Sequence, residues 1–168
     1  LVLACGARPT VRYAHAITVD DRRLDELLHG MIQDIEGTYV HRVAFVAPER
    51  MAWPLPLYEL ALLTAYRAWA LGVRLDTVLV TPEDRPLEVF GSAASRAVSG
   101  LLRNRGIELV TSAHVDIPQR RQIVINPGGR RMQDDRVVSL PELFGPAVPG
   151  LPQDGHGFVP VDDHCRVE

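Results

Sequence analysis

The chain has 168 residues, 46% of them hydrophobic and 23% charged, with a formal net charge of -3. That is apolar content for one packed domain, and mild acidity without a basic run argues against nucleic acid or an anionic membrane surface as partner. No apolar stretch reaches bilayer-spanning length, and two cysteines, Cys5 and Cys165, are too few for a disulfide-stapled scaffold; both read as reduced thiols of a cytoplasmic protein.

In chain order, residues 1–5 read as a short apolar strand that Gly6 to Pro9 ends. Thr18 to Asp21 offers a helix N-cap, and Leu24, Leu27, Leu28, Met31, Ile32 and Ile35 recur at helical spacing up to Glu36, with Gly37 as C-cap. Arg42–Pro48 is a buried strand, and Leu57–Leu71 is a helix stopped by Gly72. Leu75–Thr81 is a second strand, and Pro82–Pro86 turns the chain. Ser92–Arg105 is a helix stopped by Gly106, and Ile107–Thr111 is a third strand. The order β-α-β-α-β with short links implies a parallel α/β sheet. Arg121–Asn126 and Arg136–Leu140, joined through the turn at Pro127–Gly129, suggest a small antiparallel meander. Pro141–Pro152 reads as a connection and Phe158–Val161 as a last strand.

Between the strand at 42–48 and the helix from 57, a dinucleotide-binding unit would carry G-x-G-x-x-G, because only glycine lets the backbone approach a pyrophosphate. This chain carries Glu49-Arg-Met-Ala-Trp-Pro-Leu-Pro56 there. The fold signal is strong and the expected ligand signal is missing. Glu83 and Asp84, after the second strand, read as turn carboxylates. None of the six histidines has zinc-site spacing, so no metal site is expected.

Four segments together resemble a known family: Leu1–Pro9, Leu75–Thr111 with its Arg105-Gly-Ile-Glu-Leu109, Arg136–Pro141, and Gly157-Phe-Val-Pro-Val-Asp162. In order and spacing they are similar to the FAD-dependent pyridine nucleotide-disulphide oxidoreductases, which include type II NADH dehydrogenases and sulfide:quinone oxidoreductases. The resemblance implies a Rossmann-like FAD/NAD(P)-binding fold and a chain that is the middle of a longer protein. Residues 1–12 would be a remnant of the FAD domain, 13–41 a connecting helix, 42–140 the NAD(P)H-type domain, and 141–168 a return segment toward the FAD domain. It also implies FAD as cofactor of the longer protein, with the isolated piece binding it poorly and inactive. The partners would be a small-molecule electron donor and acceptor, and a homodimer is a candidate assembly. Whether NAD(P)H is the donor stays open.

The resemblance further implies site residues. Leu57-Tyr-Glu-Leu-Ala61 matches the tail of the family's nucleotide loop, making Glu59 the candidate catalytic carboxylate on the first turn of its helix. Trp53, Pro54, Pro56 and Tyr58 resemble the loop of the sulfide-oxidising members and are candidates for a substrate wall or lid, although their cysteine pair has no counterpart in this loop. Cys5, Gly6 and Arg8 are candidates for cofactor binding. The plain alternatives are a capping carboxylate, a rigid proline link with a packing tryptophan, and a turn glycine. At the level of the whole domain, the alternative is a Rossmann-like module that has lost nucleotide binding and serves dimerisation or regulation; a stand-alone nucleotide domain is disfavoured by the missing glycines.

Overall fold

The computed structural model describes residues 2–19, 24–51 and 53–167. Its centre is a five-stranded, all-parallel sheet. After β1 (Arg8–Thr10) come β2 (Ile17–Thr18), α1 (Leu24–Glu36), β3 (Arg42–Val46) and α2 (Leu55–Ala70). They are followed by β4 (Asp76–Val80), a 3-10 turn at Glu88–Phe90, α3 (Ser92–Asn104) and β5 (Ile107–Val110). Then come β6 (His114–Gln119), β7 (Gln122–Asn126), β8 (Arg130–Gln133), β9 (Arg136–Ser139) and β10 (Glu142–Phe144). The main sheet runs β2-β9-β3-β4-β5; β6-β7-β8 form an antiparallel sheet, and β1 pairs with β10.

Val43, Ala44, Phe45 and Val46 are all fully buried, as a strand covered on both faces requires. Alternation sorts them. Val43 and Phe45 join the helices through Leu57, Ala61, Met31, Ile35 and Leu102. Ala44 and Val46 join Val115, Ile123 and Ile125 of the meander. One face of the sheet therefore carries helices and the other carries the antiparallel meander.

Two expected helix stops hold: Gly72 and Gly106 sit at φ 69, the left-handed conformation that glycine adopts without strain. After α1 the left-handed residue is Thr38 (φ 59), not Gly37. Gly37 instead lies beneath the exposed Tyr39 ring, which a Cβ there would meet at 2.7 Å and push outward. Of the proposed N-cap at Thr18 to Asp21, Thr18 ends β2 instead, and Asp20 and Asp21 lie outside the described residues.

Other expectations are corrected. Arg136–Ser139 is no part of the meander; it is the parallel strand β9 between β2 and β3, with Val137 buried toward the meander and Val138 toward the helices. The meander takes β6 and β8 instead. Among the described residues 2–7 and 158–160 there is no strand: Val2 is exposed, and Val161 makes only an isolated bridge to Val167. Side chains turn that last segment. Asp154 Oδ1 accepts from the amides of His156 and Phe158, and Asp162 Oδ1 from those of His164 and Arg166. Residues 13–41 contribute β2 and α1 to the same sheet and core.

Candidate functional site

From β3 the chain steps to β4 and β5 on one side, then returns through β9 on the other. Such a reversal opens a crevice beyond the carboxyl ends of the strands, the usual place for a ligand in an open α/β sheet. A cleft of about 310 Å³ lies there. Val19, Leu140 and Pro141 line it from the ends of β2 and β9, Met51 and Trp53 from the loop after β3, and Glu59 and Leu63 from α2. Among the described residues its lining is apolar except for the Glu59 carboxylate.

The start of α2 departs from the sequence reading. The helix begins at Leu55, with Pro54 as its buried N-cap residue and Pro56 inside the first turn. Proline fits a first turn because the N–H it lacks has no intrahelical partner there. Glu59 therefore stands on the second turn, and the helix-dipole argument for it weakens, since that effect fades beyond the first turn. Pro56 has no N–H to offer a ligand, and the Leu57 N–H donates to the Pro54 carbonyl at 3.0 Å. Among the described residues Glu59 itself has no hydrogen-bond or ion-pair partner.

The candidate wall residues divide. Trp53 is 51% exposed and packs edge-on against Phe90, with ring centroids 5.1 Å apart. Pro56 lines the cleft. Pro54 instead faces a second cleft, and Tyr58, only 1% exposed, turns away from the first into the core. The Tyr58 hydroxyl donates to Glu83 Oε2 at 2.6 Å, and Thr81 Oγ1 donates to the same oxygen at 2.9 Å. Burial, then the bond to the Glu83 carboxylate, raise the Tyr58 phenol above its ordinary pKa. Glu83 is thus more than a turn residue: it is the acceptor that closes α2 onto the end of β4.

The second cleft, about 450 Å³, shares Met51 with the first and is lined by Glu49, Glu83 and Glu88, with no cation among the described residues. It occupies the carboxyl ends of β3 and β4, where a dinucleotide's phosphates would rest on a glycine loop and helix N-terminus. Three carboxylates, a proline-blocked helix end and the Trp53–Phe90 contact do not fit a pyrophosphate.

Cys5 and Gly6 line a third cleft of about 710 Å³ between residues 2–6 and 158–167, beside Phe158 and Arg166. Cys5 and Cys165 both face it and are free and exposed. Gly6 stands at φ 66 with open space beside its Cα. Mixed apolar and cationic lining fits one wall of a flavin site. Arg8 does not line this cleft but donates to the carbonyl of Pro146, which does, at 2.8 Å. Gly145 and Gly157 cross so closely that a Cβ on Gly145 would strike the Gly157 carbonyl, which fixes the return segment against β10. No group of three or more metal-ligating side chains occurs among the described residues.

Sequence reasoning missed Leu140 and Pro141 as cleft wall, although the apolar exit from β9 was visible. It also missed Asp134. This carboxylate is 1% exposed, both of its oxygens lack a hydrogen-bond partner, and burial pushes its pKa up to about 6 against the pull of Arg42. Its signal was the Asp134-Asp135 pair before β9.

No family model and no curated protein sequence matches the chain. Solved structures do. The sulfide:quinone oxidoreductase of the hyperthermophilic bacterium Aquifex aeolicus superposes with a TM-score of 0.71 at 18% identity, over 84% of this chain and 35% of that one. The fold is that of the FAD pyridine nucleotide-disulphide oxidoreductases. An NAD-dependent persulfide reductase from A. fulgidus gives a TM-score of 0.61 at 20% identity, over 96% of this chain and 30% of that one. An engineered water-forming NADPH oxidase, solved with NADPH, gives 0.57 at 14%, over 96% and 35%. The chain spans about a third of the length of these structures. No helix among the described residues is long and apolar enough to cross a membrane.

Proposed function

We propose that this chain is the central domain of an FAD-dependent oxidoreductase whose electron donor is not NAD(P)H. The observation that carries the reading is the pair of clefts at the strand ends. The apolar one around Glu59 is suited to a small molecule, while the one a dinucleotide would need holds Glu49, Glu83 and Glu88 beneath a proline-blocked helix. In the longer protein FAD supplies the electron chemistry, and this domain supplies access and orientation. Cys5, Gly6, Phe158 and Arg166 would form one wall of the flavin site. Glu59, open to the cleft and without a protein partner, would orient the donor or take its proton. Fold alone does not assign the chemistry.

A second reading, a module kept for association, draws support from the outer face of α2, where the neighbouring rings of Tyr66 and Trp69 are 47% and 69% exposed. The visible spectrum of the full-length protein separates the two. Oxidised flavin that stays oxidised under anaerobic, stoichiometric NADH supports the first. Bleaching overturns the exclusion of NADH, and a colourless protein leaves the association module.

A further inference from the structure

We propose that the Glu59 cleft selects its occupant by charge: it takes a small molecule with an apolar, ring-sized body and one cationic amine head group, and it turns anions away. The inference rests on the reading of this cleft as the donor site and names the class of ligand.

The size comes from the cavity. At about 310 Å³ it stands at the lower end of small-molecule pockets, room for one ring and a short chain. The body comes from the walls. Met51, Leu60, Leu63, Leu140 and Leu143 offer only aliphatic or thioether surface, and Trp53 adds an aromatic face. The head group comes from Glu59, the single charged side chain in the lining among the described residues. A carboxylate without a protein partner on an apolar wall is complementary to a protonated amine, and the neighbouring Trp53 ring favours the same charge.

Adjacent charges act in the same direction. Glu49, Glu83 and Glu88 line the cleft that shares Met51, and among the described residues no arginine lines either cleft. The nearby Arg50 is directed elsewhere, its Nη1 lying 2.6 Å from His156 Nδ1. A cleft walled by one sign of charge concentrates ligands of the other.

The test is titration of the ¹⁵N-labelled chain at pH 7 with 2-phenylethylamine, 2-phenylethanol and phenylacetate, which share a ring and differ in head group. The readouts are the Trp53 indole N–H, assigned against Trp69→Phe, and the amides of residues 59–63. The amine is expected to bind about fivefold tighter than the alcohol, the measure of a solvent-exposed ion pair, and phenylacetate to leave Trp53 unshifted. Glu59→Gln should remove most of the amine's lead over the alcohol while leaving the rest of the spectrum in place, and Glu59→Lys should reverse the order in favour of phenylacetate. Equal binding of amine and alcohol to the unmodified chain, a silent Trp53 with all three probes, or an amine preference undiminished in Glu59→Gln overturns the proposal. The titration uses no flavin. Lost selectivity in a protein whose full-length form is yellow defeats this inference alone, and intact selectivity with a colourless full-length form defeats only the flavin reading.

Discussion

The Tyr58 phenol donates a 2.6 Å hydrogen bond to Glu83, joining the first turn of α2 to the segment after β4 from inside the protein. The same Glu83 oxygen receives the Thr81 hydroxyl, and Thr81 Oγ1 in turn accepts from the Glu83 amide at 3.3 Å. A carboxylate after the second core strand is where dinucleotide domains of this architecture hold a ribose. Here it holds the protein's own helix.

Tyr58→Phe tests that substitution of roles. The ring fits as before and only the donor is lost, so the cost is the bond to a charged acceptor, about 1.5–3 kcal/mol. The urea midpoint should fall with the slope unchanged. No fall would mean that Glu83 is equally well satisfied by Thr81 and water, and that the contact does not hold α2 in place.

How far the sequence revealed all this follows from what each segment buries. β3 and β4 were legible because Val43–Val46 and Val78–Val80 are continuous apolar runs, which only a doubly covered strand needs. β8 was not, since Arg130-Arg-Met-Gln133 turns only Met132 toward the core. With β8 unseen, the turn at Pro127–Gly129 was joined to the next visible strand, and β9 was misassigned to the meander. The α2 boundary was missed because Pro54 and Pro56 were read as loop, although a first turn accommodates proline. Tyr58 was placed beside Glu59 by sequence adjacency. Successive helical residues point about 100° apart, so the helix that presents Glu59 to the cleft turns Tyr58 into the core.

Asp134 offers a prediction with a definite sign. Its folded pKa of about 6 lies above the ordinary carboxylate value of 3.8, chiefly because burial disfavours the charged form. The folded state therefore binds the proton more tightly than the unfolded chain. Above pH 6 the charge is present in both states and its full burial penalty stands. As pH falls from about 7 toward 4 the penalty is relieved, so this residue's contribution favours folding at the acidic side. Asp134→Asn removes the charge and should stabilise the protein at pH 8 by about 1–3 kcal/mol. The gap between variant and parent should narrow to near zero by pH 4. Taking the difference between the two proteins cancels Asp154, whose lowered pKa acts in the opposite direction, while Asp135, whose charge helps to raise Asp134, is coupled to it and belongs to the measured difference. A gap that is constant with pH would show that Asp134 binds its proton equally well in the folded and unfolded states, and that burial does not raise its pKa.

The Trp53–Phe90 contact is the remaining link between the loop after β3 and the 3-10 turn after β4. Both rings are partly exposed, so their edge-to-face pairing contributes modestly, about 0.5–1.5 kcal/mol beyond simple burial. Its larger consequence is positional, because Trp53 walls the Glu59 cleft while Phe90 follows Glu88 and Val89, which line the acidic one. Phe90→Ala should lower stability by about that amount, and, on a Trp69→Phe background, shift the Trp53 emission to longer wavelength as the indole meets water. It should not confer NADH binding, because the variant leaves Pro56, the engaged Leu57 amide and the three glutamates unchanged. Saturable NADH binding by Phe90→Ala would show that the aromatic contact alone closes the nucleotide path, and that the charges around it do not.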